Sequence, residues 1–371
     1  MYLSMLRQRS HVLVSGLSLC LLAAVGAGCS ANNGSSGGSS NPVPTFPSFP
    51  VPQGPPVTKG GFTYVVNTPL HKVVWYQIGS SGALTRRGEI DAGFQPTFIA
   101  AHSTRNLVYV TNFSSDTVSA YTIGSNGALR SLGSVAAGNG PASVAVDSIH
   151  NFVYVTNFDS DSVSVYKIES NGELTPVQTL TTGAGPDAIE IDSTGKFAYV
   201  ANFRTDTVSA YKINATTGEL EATVPNSTFA TGSGPNAIVI HPTRSFLYVT
   251  NEESNIVSAF SIDTTTGVLA PLSGPPVSTG KGPEGVTIDL SGKFAYVTDG
   301  QADTISTYTI DAAGALTAGP KVAAGGDPEG IVMDPVTNTV YAVNRDSRDV
   351  SAYSISDATT GALALLGHFP L

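Results

Sequence analysis

Four carboxylic acids and one arginine occupy positions in the sequence from which they could act on a common ligand. Glu252 and Arg345 each follow an asparagine that ends a strand-like segment, whereas Asp187, Glu284 and Glu329 each follow a proline. Carboxylates that converge on a narrow, partly desolvated space repel one another, so at least one of them is expected to have a raised pKa. Such a group could serve as a general acid or base, and the cluster could instead hold a cation.

These positions belong to a segment that occurs seven times along the chain. A tyrosine marks each copy, and its positions are Tyr64, Tyr109, Tyr154, Tyr199, Tyr248, Tyr296 and Tyr341. Subtraction of these numbers gives spacings of 45, 45, 45, 49, 48 and 45 residues. Each copy contains runs of β-branched and aromatic residues, such as 108–112 and 118–121, separated by turns rich in Gly, Asn and Pro. The sequence therefore predicts an all-β protein, a seven-bladed β-propeller with four-stranded antiparallel blades.

The phase of the repeat leaves one strand unassigned. Innermost strands are predicted to begin near six prolines, Pro96, Pro141, Pro186, Pro235, Pro283 and Pro328. Second strands number seven, because the first of them, 62–67, precedes all of these prolines. The innermost strand of blade 1 is therefore either missing or supplied by residues 43–58, whose prolines suit an edge strand better than a central one. Phe46 and Phe49 are unusual for a linker and favour docking of this segment on blade 1.

The N-terminal segment indicates export. Arg7 and Arg9 precede an apolar stretch that is typical of a signal peptide and too short to span a membrane. The stretch ends in Ala27-Gly28-Cys29, which resembles the lipobox of bacterial lipoproteins. We expect a lipoprotein-type signal peptide at 1–28, lipidation of Cys29, a Ser/Gly/Pro-rich tether at 29–60 and the propeller at 61–371. The alternative is an ordinary signal peptide that is cut nearby.

Composition narrows the location and the partners. The two cysteines, Cys20 and Cys29, both lie in the N-terminal segment, so the predicted propeller has no disulfide. Without residues 1–28 the chain has 28 acidic and 16 basic residues, and this net charge of −12 opposes binding to nucleic acid or anionic lipid. We expect a monomer, with no cofactor and no bound metal, that contacts the membrane through its anchor alone. Its expected location is the bacterial outer membrane, periplasmic or surface-exposed.

Two features of the repeat carry a family resemblance. The turn Thr-Thr-Gly-x-Leu recurs at 216–220, 265–269 and 359–363, and residues 234–260 read GPNAIVIHPTRSFLYVTNEESNIVSAF. The repeat resembles the lactonase family of seven-bladed propellers, which includes 6-phosphogluconolactonases and carboxymuconate cycloisomerases. The resemblance implies an Arg-His pair after an innermost-strand proline and a Glu after the asparagine of a second strand. Glu252 matches that Glu, but Asn236 and Ala237 fill the Arg-His positions.

One end of the ring is predicted to carry the residues that differ most between blades. Strands alternate in direction, so the loops that precede the innermost strands and the loops that follow the second strands emerge together. Their predicted aromatic half, over blades 2–4, consists of Phe113, Phe158 and Phe203; the predicted acidic half, over blades 4–7, consists of Asp187, Asn236, Glu252, Glu284, Glu329 and Arg345. We interpret this end as a binding face, with Glu252 as the candidate catalytic residue. The alternative is that the phenylalanines fill gaps between blades.

A possible calcium loop is the weakest of these signals. Asn157, Asp159 and Asp161 are spaced like the start of such a loop, but its glycine and distal glutamate are absent. Aspartates recur at the same blade position as Asp161, namely Asp116, Asp206 and Asp303. This regular recurrence indicates a turn cap rather than a metal ligand.

Three functions remain open at the level of sequence. The first is an exported, lipid-anchored propeller that binds a ligand or protein of the cell envelope. The second is a lactone hydrolase of the 6-phosphogluconolactonase type, although the absent Arg-His pair removes a general base near neutrality and a clamp for anions. The third is a structural protein of the envelope or matrix.

Overall fold

A computed structural model describes residues 53–223 and 227–371 of the chain. Cys29, Phe46 and Phe49, and with them the predicted signal peptide and most of the tether, lie outside the described residues. No helix among the described residues is long and apolar enough to cross a membrane.

Every strand of the described chain belongs to one of seven sheets, each made of consecutive strands. Blade 1 consists of β1 (Val57–Lys59), β2 (Phe62–Asn67), β3 (Lys72–Ile78) and β4 (Leu84–Asp91). Blade 2 consists of β5 (Pro96–Ala101), β6 (Leu107–Asn112), β7 (Thr117–Ile123) and β8 (Leu129–Ala136). Blade 3 consists of β9 (Pro141–Asp147), β10 (Phe152–Asn157), β11 (Ser162–Ile168) and β12 (Leu174–Thr181).

The remaining four blades follow the same order. Blade 4 consists of β13 (Pro186–Ile191), β14 (Phe197–Asn202), β15 (Thr207–Ile213), β16 (Leu220–Ala222) and β17 (Thr228–Ala230); blade 5 consists of β18 (Pro235–Ile240), β19 (Phe246–Asn251), β20 (Ile256–Ile262), β21 (Leu269–Pro271) and β22 (Val277–Ser278). Blade 6 consists of β23 (Pro283–Ile288), β24 (Phe294–Asp299), β25 (Thr304–Ile310) and β26 (Leu316–Ala323); blade 7 consists of β27 (Pro328–Asp334), β28 (Thr339–Asn344), β29 (Asp349–Ile355) and β30 (Leu363–Pro370). In blades 4 and 5 the outermost strand is divided into two pieces. Short 3₁₀ turns at Thr68–Leu70, Phe113–Ser115 and Gly300–Ala302 follow three of the second strands.

The predicted fold is confirmed, including the start of each innermost strand at its proline. In blade 1 the innermost strand is not missing but is supplied by the segment that precedes β2. Strand β1 pairs antiparallel with β2, with Val57 opposite Tyr64, and lies in the segment that the sequence assigned to the tether. Pro55 and Pro56 precede this strand instead of interrupting it, which is where a ladder tolerates residues without an N–H group.

The second strand of each blade is buried on both faces, because blades pack against one another around the ring. All residues of β6, β10 and β14 are buried, and their near-continuous apolar sequences are typical of such a position. Seven apolar clusters each join residues of two adjacent blades. One of them packs Val65 and Tyr76 of blade 1 against Tyr341 and Val350 of blade 7, and so closes the ring.

The seven marker tyrosines connect each blade to the next. Six of their hydroxyls donate a hydrogen bond to a glycine carbonyl in the turn between the third and outermost strands of the following blade. Tyr109 donates to Gly172 over 3.1 Å, and Tyr341 of blade 7 donates to Gly82 of blade 1 over 2.7 Å. Tyr296 is the exception, because its buried hydroxyl has no hydrogen-bond partner among the described residues. Burial raises the pKa of all seven side chains, which keeps them neutral donors.

A second row of tyrosines, on the third strands, points the opposite way around the ring. Tyr121 donates to the Asp91 carbonyl over 3.0 Å, and Tyr353 donates to the Ala323 carbonyl over 2.9 Å. Tyr76 of blade 1 reaches the Pro370 carbonyl of blade 7 in the same way. Adjacent blades are therefore joined by hydrogen bonds in both directions as well as by apolar packing.

The tyrosine rows allow a matched test of the ring contacts. Tyr341→Phe is expected to lower the free energy of unfolding by about 1–3 kcal/mol, because the buried carbonyl of Gly82 loses its partner. Tyr296→Phe is the control, since Tyr296 is equally buried but its hydroxyl is unpaired; we expect it to be neutral or stabilising. Urea denaturation measures both variants, and equal losses of stability would contradict the assignment.

Candidate functional site

The backbone brings the two predicted loop sets together at one end of the ring, which we call the mouth. In each of blades 2–7, the residue after the second strand donates its N–H to the carbonyl of the residue before the innermost-strand proline. Glu252 bonds in this way to Gly234 over 2.8 Å, and Arg345 bonds to Asp327 over 2.9 Å. We define the mouth positions as the residue after each of these prolines and the residue after each second strand. All nine predicted catalytic and binding residues occupy mouth positions.

The aspartates that recur after the second strands hold adjacent blades in register at the mouth. Asp116 has the left-handed φ of 52°, and its Oδ1 accepts a hydrogen bond of 2.8 Å from the Gly140 N–H of the next blade. Equivalent bonds from a backbone N–H of the next blade are accepted by the side chains of Asp161, Asp206, Asn255 and Asp303. His71 serves the same purpose in blade 1, where its Nδ1 accepts from Gln95 N–H over 3.2 Å. Asn, Asp and His are the residues that adopt this conformation most readily.

The residues of the suggested calcium loop take part in these contacts. Asp161 accepts from the Gly185 N–H over 2.8 Å, and Asp159 lies 3.0 Å from the guanidinium of Arg204. Within residues 53–223 and 227–371, no group of three or more His, Cys, Asp or Glu side chains is arranged to hold a metal ion.

In the acidic half, Asn236 connects blade 5 to blade 6. Its amide nitrogen donates to the Pro283 carbonyl over 2.8 Å and to Glu284 Oε2 over 3.3 Å. Its amide oxygen accepts from Thr250 Oγ1 over 2.8 Å. Asn236 is buried, and three partners hold its orientation, so it presents the Glu284 carboxylate at the mouth in a defined position.

Arg345 organises the carboxylates of blade 7. Its Nη1 lies 2.6 Å from Glu329 Oε1, and its Nη2 pairs with Asp327. The Glu329 side chain is buried, and its second oxygen accepts the backbone N–H of Gln53. Both oxygens of Glu329 are thus engaged, which leaves this residue poorly suited to proton transfer. Asp187 and Glu252 are half-buried at their mouth positions.

None of the mouth positions carries the imidazole that the lactonase resemblance implies, and the one imidazole described above at this end of the ring, His71, has its Nδ1 engaged by the Gln95 N–H. Ala237 occupies the relevant position in β18. His102 and His241 lie beyond the other ends of their innermost strands, and both are buried. His241 Nε2 hydrogen-bonds the Gly292 carbonyl over 2.9 Å, and His102 Nε2 meets Asn151 Oδ1 at 3.2 Å. Burial lowers the pKa of both imidazoles and favours their neutral form.

The three phenylalanines lie where adjacent blades meet. The Phe113 ring packs on the loop of the next blade, so that a Cβ atom on Gly140 would approach it to 3.1 Å. Phe203 is buried and packs in the same way on Gly234. Phe158 is half-buried, and the guanidinium of Arg204 covers its ring at 4.4 Å from the centroid. This packing agrees with the alternative in which the phenylalanines fill gaps between blades.

The structure also reveals a charged residue that the sequence reasoning missed. Glu190 pairs with the marker tyrosine Tyr199 of its blade. The innermost-strand residues that pair with the other six marker tyrosines are Val57, Ala100, Ala145, Val239, Thr287 and Val332. Glu190 is therefore the single ionisable residue among seven equivalent positions of the channel wall. Alignment of the innermost strands by their prolines would have revealed it, because the signal is one acid among small and apolar residues.

Glu190 is half-buried, and burial alone raises the pKa of its carboxyl to about 7. It lies on the same face of β13 as Ala188, the face that packs against Ile238 and other apolar residues of blade 5. An apolar wall disfavours the ionised form, because it cannot replace the hydration of a carboxylate. This carboxyl thus titrates near neutrality, where proton-transfer groups are most effective.

The sequence pattern of the family described as "Lactonase, 7-bladed beta-propeller" matches residues 63–370, and the chain belongs to this family. No curated protein matches the chain significantly in sequence.

Solved structures with the same fold come from several bacteria. A Lactobacillus plantarum protein is 25% identical, with a TM-score of 0.71 over 80% of this chain and 92% of its own. The Pseudomonas aeruginosa periplasmic gluconolactonase is 19% identical, with a TM-score of 0.71 over 81% of this chain and 92% of its own. A Bacteroides fragilis protein, provisionally named a 6-phosphogluconolactonase, is 19% identical, with a TM-score of 0.72 over 79% of this chain and 89% of its own. The last two similarities establish the fold alone.

The Glu190 carboxyl should give stability a measurable dependence on pH. The folded chain holds this proton up to about pH 7, whereas the unfolded chain releases it at the ordinary glutamate pKa. The contribution of the protonated Glu190 carboxyl to stability is fully present below the ordinary glutamate pKa. It is lost as the pH rises to about 7 and the carboxyl ionises.

Above about pH 7, Glu190→Gln is therefore expected to have a free energy of unfolding up to ~3 kcal/mol higher than wild type, as measured by urea denaturation. Near pH 4 the two proteins should be equally stable. Glu221 is an exposed acid on the outer strand of the same blade, so Glu221→Gln is the control and should leave the free energy of unfolding unchanged at both pH values. If wild type and Glu190→Gln differ by the same amount at every pH, the assignment of a raised pKa is wrong.

Proposed function

We propose that this lactonase-family propeller binds a small uncharged or cationic ligand at its mouth, over blades 4–7, without hydrolysing it. The supporting observation is the charge of the mouth positions. They carry the carboxylates of Asp187, Glu252, Glu284 and Glu329 and the guanidinium of Arg345, which leaves a net charge of −3. A surface with a net negative charge attracts cationic ligands and repels anionic ones.

The same charge argues against a phosphorylated lactone as the ligand. Arg345 is the one cation among the mouth positions, and its guanidinium is already paired with Glu329 and Asp327. A phosphate would need to displace these carboxylates while other acids remain nearby, and like charges in a partly desolvated space repel strongly. Asn236, which stands where the family resemblance implies arginine, instead donates to Glu284.

Hydrolysis of a neutral lactone is the second candidate, and membership of the lactonase family favours it. The Pseudomonas and Bacteroides proteins with this fold carry gluconolactonase and 6-phosphogluconolactonase names. In this case Glu252 would act as the general base that removes a proton from water. Its side chain is half-buried at the mouth, and Glu329 cannot replace it, because both Glu329 oxygens are engaged.

A hydrolysis assay on neutral and phosphorylated sugar lactones separates the two candidates. We expect no detectable hydrolysis by wild type, together with a rise in Tm for at least one neutral or cationic compound of the panel. Wild-type hydrolysis that falls by about 10²–10⁴ in Glu252→Gln would establish the enzyme instead, since general acid–base groups contribute that much. Glu253→Gln is the control, because Glu253 is adjacent, exposed and bonded to Ser233. If wild type shows no hydrolysis and no compound of the panel changes its Tm, both candidates are contradicted.

We also propose that the protein is exported and held in the cell envelope by a lipid on Cys29. The arginines, apolar stretch and Ala27-Gly28-Cys29 segment support this location. The name of the Pseudomonas relative, a periplasmic gluconolactonase, is consistent with it.

Cys29→Ser tests the anchor directly. The variant is expected to leave the membrane fraction and appear in the soluble envelope fraction, because the acyl chains that hold the protein are lost. Cys20→Ser, which changes a cysteine within the predicted signal peptide, is the control and should remain membrane-bound. Equal membrane retention of Cys29→Ser and wild type would exclude lipidation at Cys29.

A further inference from the structure

The innermost strands, which surround the central channel, carry more acids than bases. The seven innermost strands, β1, β5, β9, β13, β18, β23 and β27, carry six acids, namely Asp147, Asp187, Glu190, Glu284, Glu329 and Asp334. Lys59 is the one cationic residue of these strands, and it donates to the Ser103 carbonyl. The innermost strands thus have a net charge of −5. An acid among them that has no partner within the described chain is therefore a candidate for binding a cation.

Five of the six acids have partners within the described chain. Asp147 lies 2.8 Å from His150, Asp334 accepts from Thr337 over 2.6 Å, and Glu329 binds Arg345. Glu284 accepts from Asn236, and Asp187 also interacts with other groups. For Glu190, by contrast, burial is the sole influence on the carboxyl, with no hydrogen bond or neighbouring charge among the described residues.

The titratable groups near Glu190 cannot neutralise it. Tyr199, across the ladder on β14, donates its hydroxyl to the Gly267 carbonyl over 3.1 Å. Strand β18 of blade 5 has no ionisable residue, and Tyr248 behind it donates to Gly314. On β9 of blade 3 the ionisable group is Asp147, which is paired with His150. A carboxylate placed so costs stability unless a partner from outside the chain supplies the compensating charge and hydrogen bonds.

We propose that the channel contains a second binding site, separate from the mouth positions, in which Glu190 pairs with the ammonium group of an organic cation. An ammonium group supplies the hydrogen bonds and the positive charge that the described residues around Glu190 do not offer to its carboxylate. The alkyl part of such a ligand would contact the apolar residues of the blade that Glu190 faces, Ile238 and Ile240.

The chemistry of the site favours an organic cation over a metal ion. One carboxyl offers at most two oxygen ligands, whereas Ca²⁺ takes six to eight and Mg²⁺ takes six. The equivalent residues of the adjacent blades are Ala145 and Val239, which supply no side-chain ligand. An alkylammonium ion matches both features, because it combines a single charged donor group with an apolar chain.

Binding of n-butylammonium chloride to the purified propeller tests this proposal, with n-butanol as the uncharged analogue and sodium chloride to equalise ionic strength. At about pH 8 we expect n-butylammonium, but not n-butanol, to raise the Tm of wild type in a saturable manner. Glu190→Gln should bind at least about tenfold more weakly, since a hydrogen bond to a charged group contributes that factor or more. Glu221→Gln, the exposed acid of the same blade, should bind like wild type.

The pH dependence gives a second readout that a purely structural role would not produce. Below about pH 5 the Glu190 carboxyl is protonated, so n-butylammonium should no longer stabilise wild type preferentially over Glu190→Gln. Equal binding to wild type and Glu190→Gln at about pH 8 would place the cation elsewhere and overturn the proposal. Failure of n-butylammonium to bind wild type at about pH 8 would overturn it as well.

Discussion

The contact on which the architecture depends is the hydrogen bond from a buried tyrosine to the glycine carbonyl of the next blade. Each blade is a separate sheet, so no β-ladder holds the ring together. Tyr109–Gly172 and Tyr341–Gly82 span boundaries whose cores are filled by apolar side chains. An apolar surface permits sliding, whereas a directional bond in a dry interface fixes the register of one blade on another. Six of the seven copies donate this bond, and six turn glycines accept it.

Fixed blades allow the mouth to vary. Its loops are held by backbone bonds and by side chains such as Asp116, which reaches the N–H of Gly140 in the next blade. Neither contact involves the side chains at the mouth positions, so these can change from Phe113 in one blade to Arg345 in another. The fold therefore provides a rigid frame with interchangeable residues, and family membership alone does not determine the chemistry.

The sequence was sufficient for the fold because tyrosine, proline and glycine each recur for a local steric or hydrogen-bonding reason. It also located the mouth, since the alternation of strand directions follows from the antiparallel blades. It could not show that Arg345 engages both Glu329 and Asp327, because that contact depends on side-chain orientation in three dimensions. It did not single out Glu190, whose significance lies in its equivalence to Val57 and Ala145 across separate blades.

The strand β1 has a consequence for the mechanics of the ring. Because it comes from the same end of the chain as β2, blade 1 is complete without any strand from the C-terminus. Blades 7 and 1 therefore meet without a strand shared between the two ends of the chain. Arg348, which stands in blade 7 where Asp116 stands in blade 2, has a left-handed φ but a side chain that can only donate hydrogen bonds. Non-covalent contacts close the ring at this boundary: the Tyr341–Gly82 and Tyr76–Pro370 hydrogen bonds, one apolar cluster, and the bond from the Gln53 N–H, just before β1, to Glu329 of blade 7. The segment that completes blade 1 therefore also ties the first blade to the last.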